Sequence, residues 1–120
     1  MTHCIIFEPD PSCREILQNA IASLYWTIRL ADTAEDVLSA LPGPWAVVLA
    51  IESGDPAALD LIRGIRAASP GVVICALLDE LSPQYDGQVA DAGADSLFAK
   101  PVAETEIVEA LVAGFASRRG

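Results

Sequence analysis

The sequence predicts an α/β sandwich on a parallel five-stranded sheet, and three observations carry that expectation. Short apolar runs alternate strictly with segments of helical spacing. Three of the runs are apolar throughout, as suits strands buried on both faces of a parallel sheet. Turn and cap residues stand between the segments, where each change of structure needs them. Hydrophobic residues make up 52% of 120 positions, which supplies one buried core without staples and excludes disorder. A single domain is expected over 1–120, with its core at about 4–115.

The first strand is expected at 4–7, and Pro11-Ser12 opens a helix whose apolar stripe is Ile16, Leu17, Ala20, Ile21 and Leu24. A second strand follows at 26–30. Thr33 then caps a short helix, with Asp36 placed to complete a capping box, and Pro42-Gly43-Pro44 ends it. After the third strand at 46–51, Asp55-Pro56 starts a helix with the stripe Leu59, Ile62 and Ile65, which Pro70-Gly71 stops. The fourth strand, at 72–78, leads to a helix opened by Ser82-Pro83 and closed by Gly93. The fifth strand lies at 96–99. The last helix begins near Glu104 and turns Ile107, Val108, Leu111, Val112 and Phe115 inward. Right-handed crossovers fold five such βα units into the flavodoxin-like, doubly wound arrangement of strand order 2-1-3-4-5.

Seventeen acidic residues against seven basic ones give a net charge of −10. Nucleic-acid grooves and anionic membranes both select clustered Lys and Arg, so neither is an expected partner. The longest uncharged stretch, 37–51, is broken by Pro42, Gly43 and Pro44 and is too short to span a bilayer. Nothing near Met1 has the pattern of a signal peptide. Cys4, Cys13 and Cys75 lack metal-ligand spacing, and His3 is the single histidine. Buried reduced thiols and a cytoplasmic location are expected.

In such a fold, ligands sit beyond the carboxyl ends of the strands. The residues there are Glu8-Pro9-Asp10-Pro11 after strand one, Ala50-Ile51-Glu52 at strand three, Leu77-Leu78 at strand four and Lys100-Pro101 after strand five. The run Gly93-Ala94-Asp95-Ser96-Leu97-Phe98-Ala99-Lys100-Pro101, with Phe7-Glu8-Pro9-Asp10-Pro11-Ser12-Cys13-Arg14 at the start, resembles the receiver domains of bacterial two-component response regulators. The resemblance spans 4–115 and takes in the third helix at 59–66. It implies a phosphorelay signalling role, but most of the implied active site is replaced. Two adjacent acids should hold Mg²⁺, and here they are Glu8 and Pro9. The phosphoacceptor aspartate is Ala50, which has no nucleophile. The hydroxyl that senses the phosphoryl group is Leu77, and the switch aromatic is Leu97. Lys100 alone survives intact.

The resemblance therefore implies an atypical receiver, a pseudo-receiver that is no enzyme and works by protein–protein contact without phosphorylation. Mg²⁺ binding is not expected, because one carboxylate cannot build an octahedral oxygen site. With no aspartate at Ala50, Lys100 is expected to pair with Glu8 above a pocket partly plugged by Leu77. Glu52, two residues beyond Ala50, is either a mimic of the missing charge or a solvated loop acid. Asp10 and Asp55 are substitute acceptors or, more ordinarily, helix caps. Trp26 and Trp45 are partner anchors or core packing, and Arg118-Arg119 is a solvated end. The helix four–strand five–helix five face, through Leu97, Ala110, Ala113 and Gly114, is the expected surface for a partner or a homodimer. The alternative is a small-molecule sensor, which lacks support because no Gly-rich phosphate loop follows the first strand.

Overall fold

The computed structural model describes residues 2–41 and 43–119. Pro42, placed at a helix stop, and the side chains of Arg118 and Arg119, placed at a solvated end, lie outside the described residues. Five strands and five helices alternate along the chain: β1 (His3–Phe7), α1 (Pro11–Ala22), β2 (Thr27–Leu30), α2 (Ala34–Ser39), β3 (Ala46–Ile51), α3 (Pro56–Ala68), β4 (Val73–Leu78), α4 (Pro83–Ala92), β5 (Ser96–Ala99) and α5 (Glu104–Arg119). The strands form one sheet in the order β2-β1-β3-β4-β5, and every pairing is parallel. This is the predicted flavodoxin-like arrangement.

Strand alternation splits the core into two layers, which is why the central strands are apolar at every position. Cys4, Ile6, Val48, Cys75 and Leu77 pack with Leu17, Ile21, Ile107 and Leu111 of α1 and α5. Ile5, Val47, Leu49, Ile74 and Leu78 pack with Ile62, Ile65 and Val89 on the opposite face. Asp10 and Asp55 cap α1 and α3 through the amides of Ser12 and Ala57. Thr33 and Asp36 form the expected capping box at α2. Ser82 precedes α4 as expected, but its side chain makes no cap bond; its amide donates to Asp86 Oδ2 at 3.1 Å instead.

Two local departures have clear causes. Trp26 lies outside β2, because Tyr25 adopts a left-handed backbone (φ +60°) between α1 and the strand. Trp26 instead meets Trp45 and Phe115 in an aromatic cluster with ring centroids 4.5–6.1 Å apart. Along α5, Ile107 and Leu111 are buried, but Val112 is 45% exposed. The inward place falls to Gly114, seven residues after Ile107 and three after Leu111, as the helical repeat requires. A Cβ there would stand 2.8 Å from Val73 Cγ1, so glycine sets how closely α5 approaches β4.

Arg66 ties the far end of the sheet together. Its Nη1 donates to the carbonyls of Pro70 (2.8 Å) and Val72 (2.7 Å), and its Nη2 to Gly93 O (2.6 Å) and Asp95 Oδ2 (2.9 Å). Asp95 Oδ2 also accepts the Ile74 amide at 2.8 Å, so one side-chain pair orders the entries to β4 and β5.

Candidate functional site at the carboxyl ends of the strands

A cavity of about 540 Å³ opens beyond the carboxyl ends of the strands, and Glu8, Asp10, Ala50, Glu52, Asp79 and Lys100 are among its walls. Glu8 is the first residue after β1 and only 1% exposed. Its Oε1 accepts the Asp10 amide at 2.9 Å, and its Oε2 lies 2.6 Å from Lys100 Nζ. The approach of Nζ falls outside hydrogen-bond angles, so the attraction is chiefly coulombic. Lys100 follows β5, directly before a cis peptide to Pro101. The pairing expected from the sequence is therefore present, with the carboxylate buried and the ammonium partly exposed.

Ala50 is half-buried on β3, opposite Leu77 on β4, and its methyl group lines the cavity. Leu77 does not plug the cavity. It is fully buried in the α1–α5 layer, packed with Val102 and Ile107. Pro9 is exposed at the rim and brings no donor atom. Glu52 is an exposed wall residue just past the end of β3.

Sequence inspection missed the groups that join the rim loops. Asp79, the first residue after β4, accepts the Ser53 amide at 2.8 Å and that of Glu80 at 3.0 Å. Tyr85 on α4 donates its hydroxyl to Asp55 O at 2.6 Å. The α3 and α4 entrances are thus tied at two points. Asp79 was accessible to the rule that strand-end residues line the site; nothing in the sequence marks Tyr85, whose contact spans thirty positions. Burial, then the charge of Asp55, pushes the Tyr85 phenol up. The Cys13 thiol is pushed up to about 11, by burial first and then by the Glu8 carboxylate.

The donor set does not suit Mg²⁺. Both oxygens of Glu8 are engaged, Pro9 and Ala50 contribute none, and no group of three metal-ligating side chains gathers among the described residues. A phosphoryl group would find no carboxylate nucleophile at Ala50, and would meet an ammonium already neutralised by Glu8.

No protein-family model matches the chain, and neither does any curated protein. Solved structures do. A response regulator from Thermotoga maritima superposes with a TM-score of 0.82 at 15% identity, covering 97% of this chain and 98% of its own. A CheY-like response regulator receiver domain protein from Methanospirillum hungatei gives 0.84 at 15% identity, with 99% and 97% covered. The BeF3-activated DrrB receiver domain gives 0.85 at 18%, with 97% and 98% covered. The chain has the receiver-domain fold. Leu97 on β5 is half-buried against the α3–α4 layer. Of the face residues expected from the sequence, Ala113 is exposed and Ala110 half-buried, whereas Gly114 packs inward on Val73. Among the described residues, no helix is long and apolar enough to cross a membrane.

Proposed function

We propose that this chain is a receiver-type signalling module that acts through protein contact and is not itself phosphorylated. The observation that carries the proposal is Ala50: on a receiver fold, the cavity wall at the end of β3 presents a methyl group where the chemistry needs a carboxylate. Two further features support it. Glu8 holds Lys100, so the cation is committed within the chain. The Asp79 and Tyr85 bonds tie the two rim loops to each other from within the chain. A cytoplasmic setting and the absence of a Mg²⁺ cofactor belong to the same proposal.

The partner surface in this proposal is the face of α4, β5 and α5. Ala113 and the 45%-exposed Val112 offer small and apolar contact there, and little side-chain entropy is lost when such residues are covered. The occupant is a signalling protein or a second copy of the chain. Treatment with acetyl phosphate and Mg²⁺, read by intact-mass spectrometry, tests the central claim. The expected result is no adduct; a stable adduct mapping near the end of β3 overturns it.

A further inference from the structure

A second cavity, of about 250 Å³, lies at the other end of the sheet, and its walls are His3, Ile5, Arg29, Ala40, Gly43 and Pro44. A mismatch of lengths creates it. The six residues of α2 rise about 9 Å, whereas the five residues of β1 extend about 16 Å. The helix is shorter than the strand beside it, and Ala40, Gly43 and Pro44 line the remainder. Gly43 (φ +154°) forms part of that lining without a side chain.

Register places the polar groups together. Arg29 on β2 stands beside Ile5 on β1, and His3 is two residues before Ile5, so all three share one face of the sheet. Among the described residues the lining contains no carboxylate, in a chain with seventeen of them. Elsewhere, Arg63 pairs with Asp60, Arg66 with Asp95 and Lys100 with Glu8. Arg29 and the His3 imidazole have no ion-pair or hydrogen-bond partner among the described residues.

We propose that this cavity binds a small oxyanion, a carboxylate or phosphate group, through Arg29 and His3. The guanidinium fork matches two oxygens of such a group, and the imidazole adds a further donor. Ile5, Ala40 and Pro44 supply an apolar wall for what the anion is attached to. The volume suits a single anionic group and a short stem, and falls below the usual range for larger ligands. The site is separate from the cavity at Ala50 and does not depend on the signalling role proposed above.

Titration of the whole protein with inorganic phosphate, and separately with acetate, at constant low ionic strength tests the proposal by NMR. Saturable shifts confined to the Arg29 guanidinium, the His3 ring and the Gly43 amide are expected. Saturation by both anions supports a general oxyanion site, and saturation by phosphate alone narrows it to phosphate groups. Arg29→Gln should weaken binding about tenfold, the loss of one charge-assisted pair. Arg29→Lys, which keeps charge without the fork, should fall between the two. The variants should fold, because Arg29 is exposed on an edge strand. Shifts that never saturate with either anion, or a folded Arg29→Gln protein that binds as tightly as the parent, overturn the proposal.

Discussion

Removing Lys100 should cost far more than removing the charge of its partner. The Glu8 side chain is 0% exposed and the Lys100 side chain 26%. Lys100→Met strands a buried carboxylate with the Asp10 amide as its remaining contact, 2.9 Å away. Breaking a fully buried pair in this way costs about 3–5 kcal/mol. The exposure of Lys100 brings water near and lowers the expectation to about 2–3 kcal/mol. Glu8→Gln keeps the Asp10 bond and leaves an ammonium that can still reach solvent, so its cost should be about 1 kcal/mol or less. The double variant buries no uncompensated charge and should be more stable than Lys100→Met alone. Urea unfolding of the four proteins measures each term, and the Lys100→Met melting point should fall by roughly 10 °C for a domain of this size. A Glu8→Gln loss equal to or above that of Lys100→Met would refute the reasoning.

Neighbouring positions on α5 should behave oppositely. Gly114→Ala gains about 1 kcal/mol of helix propensity, yet its methyl group meets Val73 at 2.8 Å, so a net loss of about 1–2 kcal/mol is expected in urea unfolding. Ala113→Arg, on the exposed side, should leave stability unchanged and abolish self-association or partner binding, read by light scattering and pull-down with a known partner. Burial pushes the thiols of Cys13 and Cys75 up to about 11, so the folded chain holds their protons more tightly than the unfolded chain. The stability they carry is whole below about pH 9 and is lost as the pH rises toward 11, by about 1 kcal/mol per thiol at pH 10. Unfolding under reducing conditions at pH 8 and pH 10 should show this loss, and Cys75→Ala should lessen it.

Fold class, strand order and most element starts were legible in the sequence because local signals determine them. The caps at Asp10, Thr33 and Asp55 act within three residues, and the two-faced burial of the central strands is written directly into apolar runs. The place of Ala50 in the cavity wall was legible too, since a strand end maps onto a position in the site. Apart from the Glu8–Lys100 pair, which the strand-end residues already suggested, tertiary structure decided which side chains meet. Leu77 shares its sheet face with the cavity-lining Ala50, yet packs into the core with Val102 and Ile107 of the following segment and α5. Gly114 replaced Val112 on the buried stripe because the angle of α5 on β4 selects a small residue, whereas an apolar count selects a large one. The contacts of Tyr85 with Asp55, Asp79 with Ser53 and Arg66 with Asp95 join positions 26 to 30 apart. Such pairs leave no periodic trace along the chain, since they depend on where crossovers bring the loops.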